Sequence, residues 1–269
     1  MLPSNPKRAI LLVAFGTSEP RGRNTYHFIE ERVRKAFPSA DIRWAFTSRT
    51  IRRKLWREGN TADSPETALA CMMDEGIEEV AILSLHVIPG EEFHHLTRNA
   101  HLFAEMSGGF RRVGIARPLL SSQEDLARVA RGLLNTIPGD RRPEDAVIFM
   151  GHGSKKHPAD ALYAAMNYLL QNVAPAVHVA TVDGYPSLHD VLPRLATKGS
   201  RKVYLMPFMV VAGVHAVDDM AGDGPDSWKS ILQREGYTCE VSLTGIAEFP
   251  EIVEVWVDHL REVLEAREQ

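Results

Sequence analysis

Two histidines and a glutamate occupy places in this sequence where imidazole and carboxylate could serve a metal ion. His152 lies in Met150-Gly151-His152-Gly153-Ser154, directly after the apolar run 146–150. His215 lies in Ala212-Gly213-Val214-His215 after the run 203–211, and Glu92 in Pro89-Gly90-Glu91-Glu92 after the run 79–87. In open parallel sheets, ligands gather outside the carboxyl ends of the strands. If these runs are strands, both histidines belong at that edge of one sheet and Glu92 at the same edge of another. Imidazole and carboxylate without thiolate suit a divalent first-row ion such as cobalt, iron, nickel or zinc. Three protein ligands at most leave positions open for incoming donor atoms. The competing reading is that each histidine is an ordinary hydrogen-bonding loop residue. Gly151-His152-Gly153-Ser154 also looks like a phosphate turn, since glycine lets a ligand approach the backbone. It lacks the Lys-Ser/Thr ending of a P-loop and is not a G-x-S-x-G nucleophile elbow. Ser154 has a sufficient role as cap of the following helix.

Composition narrows the chemistry. The two cysteines, Cys71 and Cys239, are far apart in sequence and no C-x-x-C occurs, so a disulfide framework, a thiolate zinc site and a cysteine-ligated iron–sulfur cluster are not expected. A net charge of -4 gives no electrostatic reason to expect nucleic acid. The longest charge-free apolar run, 203–214, is interrupted by Pro207 and is too short to span a bilayer. Residues 1–8 lead directly into an apolar strand, without a leader-like segment. The expected location is therefore cytoplasmic, or periplasmic had a leader been removed upstream of Met1.

The elements that must position these residues follow from periodicity. Strand-length runs at 9–15, 42–46, 79–87, 113–116, 146–150, 177–182, 203–211 and 239–243 are rich in Val, Ile and Leu and bounded by Gly or Pro. Such runs suit strands buried on both faces. Segments of helical period, such as 24–37 and 159–172, separate them. Strict β-α alternation implies an α/β fold with parallel sheets and right-handed crossovers. The eight runs fall into two sets of four that look alike. Superposing Gly16 on Gly153 sets Phe15 opposite His152, and superposing Gly90 on Gly213 sets Glu92 opposite His215. The expectation is two similar doubly wound domains, 1–137 and 144–269, each with a four-stranded parallel sheet. The Pro/Gly/charge cluster 138–143 joins them, and the last helix, 251–267, packs back on the N-terminal half.

Several stretches together resemble a known family. They are Ala14-Phe15-Gly16-Thr17-Ser18, Ala45-Phe46-Thr47-Ser48, and Ser84-Leu85-His86-Val87-Ile88 with Gly90-Glu91-Glu92. To these are added Met150-Gly151-His152-Gly153, and Met206-Pro207 through Ala212-Gly213-Val214-His215-Ala216 with Asp219-Met220-Ala221. This set resembles the anaerobic cobaltochelatases of the CbiK type over nearly the whole chain. The resemblance implies a class II chelatase fold with an interdomain cleft and insertion of Co²⁺ into sirohydrochlorin, or factor II, in cobalamin synthesis. The family's metal-binding histidines fall on His152 and His215 and its cleft glutamate on Glu92. Asp183 falls where relatives carry another acidic residue, commonly Glu. Iron or nickel as the inserted metal, and a non-catalytic tetrapyrrole or metal carrier, are the alternatives.

The implied chemistry fits the residue types. A tetrapyrrole must lose two pyrrole protons while the ion sheds its own ligands. Histidine can bind metal when neutral or accept a proton near neutral pH, and Glu92 can favour the cation or receive a proton. The expected scheme has His152 and His215 holding Co²⁺ while Glu92 and one histidine take the inner protons. Sirohydrochlorin carries eight carboxylates, for which Arg49, Arg52, Arg53 and Lys54 at a helix start are suited, although an exposed basic face would explain them equally. Asp218, Asp219, Asp223 and Asp226 beside His215 suggest a carboxylate orienting that imidazole, with helix capping sufficient for Asp226. His94, His95 and His101 cluster on the helix after Glu92. A solvated face explains them, and the sharper idea is an accessory haem, with His95 as a ligand, at an interface of a homo-oligomer. His27, His157, His178, His189 and His259 read as structural, and His86 as a buried strand-end residue supporting Glu92.

Overall fold

The computed structural model describes residues 6–195, 199 and 201–266. Residues 1–5, on which the leader argument rests, and Arg267, the expected last helical residue, lie outside the described residues.

Every apolar run named above overlaps a strand. In the first sheet these are β1 (Arg8–Ala14), β2 (Asp41–Phe46), β3 (Glu79–Ser84) and β4 (Arg112–Ile115); in the second, β5 (Ala146–Gly151), β6 (Val177–Thr181), β7 (Lys202–Pro207) and β8 (Thr238–Val241). The orders are β2-β1-β3-β4 and β6-β5-β7-β8, and all paired strands are parallel. All six residues of β3 and all six of β5 are buried, as central strands covered on both faces require. Two strands end three or more residues before the expected ends of their runs. β7 ends at Pro207 rather than 211 because proline has no N–H for the ladder. β3 ends at Ser84 rather than 87, and the apolar residues beyond it line a loop.

The helices are α1 (Pro20–Ala36), α2 (Arg49–Arg57), α3 (Pro65–Asp74), α4 (Glu91–Glu105), α5 (Gln123–Thr136), α6 (Ala161–Val173), α7 (Leu188–Leu195), α8 (Trp228–Arg234) and α9 (Pro250–Glu265). Serine side chains cap four of them: Ser48, Ser64, Ser122 and Ser227 each accept from a backbone N–H in the first turn. Ser227, and not Asp226, caps the helix around Trp228. Ser154 instead closes a turn by accepting from His157 N at 3.2 Å, and α6 starts only after a 3-10 turn, Pro158–Asp160.

The chain divides into two compact units: Met1–Ser18 with Tyr26–Ser121 and Val253–Gln269, and Glu19–Thr25 with Ser122–Ile252. Helix α5 belongs to the second unit, where it packs on α6. The segment 138–143 thus lies inside that unit, between α5 and β5. Most of α9 belongs to the first. There Trp256 Nε1 donates to His86 O at 3.4 Å, and His259 Nδ1 lies 3.0 Å from Arg117 O.

Hydrogen bonds just past the strands put the two sheets in one register. Thr47 N and Ser48 N donate to Ala14 O and Phe15 O; Val182 N and Asp183 N donate to Gly151 O and His152 O. Leu85 N donates to Val13 O and Phe208 N to Met150 O, while Gly90 N and Gly213 N each close a tight turn on the residue two before. His152 therefore occupies the place of Phe15, Asp183 that of Ser48, and His215, seven residues after Phe208, that of Glu92, seven after Leu85. Leu119 and Leu120 bond His86 and Val87 as Ile246 and Ala247 bond Met209 and Val210, so α5 and α9 are also counterparts. Each joins the unit that does not hold its own four strands.

Candidate metal centre

The order β6-β5-β7-β8 places the topological switch point between β5 and β7, where crossovers leave in opposite directions and open a crevice at the carboxyl edge. His152 is the first residue after β5, and His215 follows β7 after a seven-residue loop. Their rings meet edge to face, with centroids 4.7 Å apart and planes at 87°.

The loop bearing His152 is held rigidly. Gly153 has φ +79°, and a Cβ there would come within 2.8 Å of Thr181 Cβ and 2.7 Å of Asp183 O, so only glycine fits. Tyr163, a buried residue of α6, turns its hydroxyl to the backbone N–H groups of Gly153 and His152, and burial pushes its pKa up. The Asp160 carboxylate takes the N–H of Ser154 and, at 3.3 Å, that of Tyr185. It therefore ties the His152 loop to the loop that carries Asp183. Its burial raises its pKa, opposed by these N–H groups and by the nearby imidazoles of His152 and His157. The first unit repeats part of this device: Tyr26, buried, takes the N–H of Gly16, whose φ is +101°. Asp160 and Tyr163 were not among the residues expected to matter. The equal ten-residue spacing of Gly16 to Tyr26 and Gly153 to Tyr163 was the available signal.

His215 opens a single π-helical turn, His215–Met220, anchored by buried Ala216 and Met220; such turns recur at functional sites. The turn sets Asp219 Oδ2 2.5 Å from His215 Nδ1. His152 Nδ1 lies 3.0 Å from Gly153 O. In both rings Nδ1 is occupied by an oxygen acceptor, which leaves the Nε2 of each neutral ring as the nitrogen able to ligate. Of the other acidic residues expected to orient His215, Asp223 instead pairs with Lys229 at 2.7 Å.

Asp183 lies two residues past β6. Lys155 Nζ stands 2.9 Å from its Oδ1, and that ammonium, with the His152 and His215 charges, holds the carboxyl below its usual range. Among the described residues, no group of three or more His, Cys, Asp or Glu side chains is gathered around one ion-sized position. The histidine pair is thus brought together, and Asp183 is near enough to feel both rings. Glu92 sits exposed in the first turn of α4 in the other unit, where the helix dipole favours its negative charge.

The remaining expected residues fall in the first unit. Arg49 and Arg53 are exposed on α2, whereas Arg52 turns one nitrogen onto Phe46 O and Thr47 O at 2.5 and 2.8 Å and closes the end of β2. His94, His95 and His101 are exposed on α4, with His95 Nε2 3.9 Å from Glu91. His86 bonds Ser84 Oγ at 2.8 Å through Nδ1, and burial lowers its pKa to about 4. Among the described residues no helix is long and apolar enough to cross a membrane.

The family model for cobalt chelatase (CbiK) matches residues 8–265. A sirohydrochlorin cobaltochelatase (CbiKC) of Nitratidesulfovibrio vulgaris is 41% identical over 260 residues, covering 97% of this chain and 92% of the relative. A sirohydrochlorin cobaltochelatase of Salmonella typhimurium is 36% identical over 260 residues, covering 96% and 97%. In fold, the chain is similar to the sirohydrochlorin chelatase SirB from Bacillus subtilis subspecies spizizenii in complex with cobalt. That likeness has a TM-score of 0.64 at 18% identity and covers 97% of both chains. With the match running from β1 to the end of α9, this chain belongs to the cobalt chelatase (CbiK) family.

Proposed function

We propose that this protein inserts Co²⁺ into sirohydrochlorin, the activity named for its relatives from N. vulgaris and S. typhimurium. The observation that carries the reading is the paired, outward-facing imidazoles of His152 and His215 at the switch point of the second sheet. Two neutral nitrogens hold a divalent ion without enclosing it, so donor atoms of a macrocycle can replace them. Asp183 is the third ligand in this reading.

Insertion forms bonds from the ring nitrogens to the metal and releases two pyrrole protons. One goes to whichever imidazole has given up the ion, a base suited to neutral pH. Glu92, at the place of His215 in the repeat, takes the other. Exposed Tyr185, Val214 and Val217, in the segments that carry Asp183 and His215, offer apolar surface for the ring. Arg49 and Arg53 meet substrate carboxylates, and Arg52 supports the strand end between them. No acidic residue lies in the first turn of α2; cations there oppose the helix dipole unless an anion joins them.

Accessory haem on the His94, His95 and His101 face, a homo-oligomer and a cytoplasmic location belong to the same reading. Exposed Leu102 on that helix and Met106 just past its end support a subunit contact. A Soret band surviving purification would support haem, and spectra and metal analysis showing neither would remove it.

Anaerobic mixing with sirohydrochlorin and Co²⁺, run beside Fe²⁺ and Ni²⁺, tests the function. Spectral conversion over many equivalents, fastest with Co²⁺, is expected. Stoichiometric binding without turnover would make the protein a carrier, and His215→Ala with unchanged insertion kinetics would sink the ligand assignment.

A further inference from the structure

Asp183 lies within electrostatic reach of the histidine pair, but its charge is already paired with Lys155. Its backbone N–H donates to His152 O at 2.8 Å, so the residue is fixed beside the histidine loop and only its side-chain torsions are free to change. Lys155, three residues beyond His152 on that loop, places its ammonium 2.9 Å from Asp183 Oδ1. We propose that Lys155 is a stand-in cation, which occupies the Asp183 carboxylate while no metal is bound and yields it to Co²⁺ when the ion arrives. The proposal rests on the chelatase reading for the identity of the ion, but not on turnover.

The strength of the pair suits this role. The Lys155 side chain is 72% exposed and that of Asp183 37%. Ion pairs so open to water are weak, because solvent screens them and the long lysine side chain loses freedom in making them. A divalent ion already held by two imidazoles therefore displaces the ammonium readily. The pair still keeps the carboxylate from acting as a permanent ligand. A site with three preset ligands would retain the metal, and transfer to a macrocycle needs the ion held loosely. Lys155 thereby sets how tightly the metal is held before transfer.

The test is Co²⁺ affinity of the metal-free protein by calorimetric titration, in wild type, Lys155→Ala, Lys155→Arg, Asp183→Asn and the double variant Lys155→Ala/Asp183→Asn. Lys155→Ala is expected to bind Co²⁺ about two- to five-fold more tightly, the range of a surface ion pair. Lys155→Arg should match wild type and Asp183→Asn should bind more weakly. In the Asp183→Asn background, removing Lys155 should change nothing. Unchanged or weaker binding by Lys155→Ala overturns the proposal, as does no Co²⁺ binding by either wild type or Lys155→Ala. Equal tightening in the Asp183→Asn background also overturns it, since that is general charge repulsion. Insertion assays on the same samples separate the two readings: turnover with a flat titration series rejects the Lys155 role alone, and the expected series without turnover rejects the chelatase alone.

Discussion

Asp219 Oδ2 stands 2.5 Å from His215 Nδ1, four residues further along the same π-helical turn. An ionised carboxylate can only accept, so Nδ1 carries the proton and the lone pair of neutral His215 is on Nε2. The carboxylate also makes the ring a better donor to metal, and such outer partners typically matter 10- to 100-fold in metal affinity or activity. Asp219→Ala is therefore expected to weaken Co²⁺ binding by about that factor. Asp219→Asn should fall between the two, since an amide oxygen still accepts but carries no charge. Titration with Co²⁺ checks both, with thermal unfolding to show that the fold persists.

Gly184 tests the link between the two loops. A Cβ there would come 1.8 Å from Asp160 Oδ2 and 3.0 Å from Ser154 N. Gly184→Ala must displace the carboxylate that joins the His152 and Asp183 loops, and is expected to cut insertion strongly and lower Tm. Asp160→Ala removes the part-buried bond from Tyr185 N–H and the carboxylate beside Ser154 N, and is expected to lower stability by about 1 kcal/mol. Calorimetry of unfolding beside steady-state kinetics would show both losses.

Stability should depend on His86 between pH 4 and 6.5. Its Nε2 is buried without a hydrogen-bond partner, and burial lowers its pKa from 6.5 to about 4. In that window the unfolded chain binds the proton and the folded one does not, so stability rises with pH. The group's full contribution is present above 6.5 and is lost progressively as pH falls to about 4. The span corresponds to about 3 kcal/mol at most. Denaturant midpoints measured across the window should flatten in His86→Gln; an unchanged slope would show that another group is responsible.

The arginines of α2 separate into two kinds. Arg49→Ala and Arg53→Ala are expected to raise KM for sirohydrochlorin severalfold at low salt with little change in Tm. The effect should fade above ~0.15 M salt as exposed charges are screened. Arg52→Ala removes the donor to Phe46 O and Thr47 O and is expected to lower Tm as well. Kinetics at two ionic strengths together with thermal melts distinguish them.

Much of this protein could be read without its coordinates, for reasons that lie in local pattern. Strands buried on both faces must be largely apolar, so β1, β3, β5, β6 and β7 announced themselves; the part-exposed β2, β4 and β8 were placed by β-α alternation, which also dictated parallel sheets. The match of Phe15 with His152 was visible because Gly16 and Gly153, with positive φ, tolerate little else, and that of Glu92 with His215 because Gly90 and Gly213 close equivalent tight turns after equivalent strands. Contacts between distant segments were not visible. That α5 joins the second unit and most of α9 the first depends on which sheet each apolar face covers, and amphipathicity carries no address. Asp160 reaching Tyr185 N, Lys155 on Asp183 and Arg52 turned back on β2 depend on side-chain direction after folding. Sequence by itself determined which residue types stand at the strand ends; only the tertiary structure decided which atoms of those residues are already engaged, because hydrogen bonds are set by position in space and not by order along the chain.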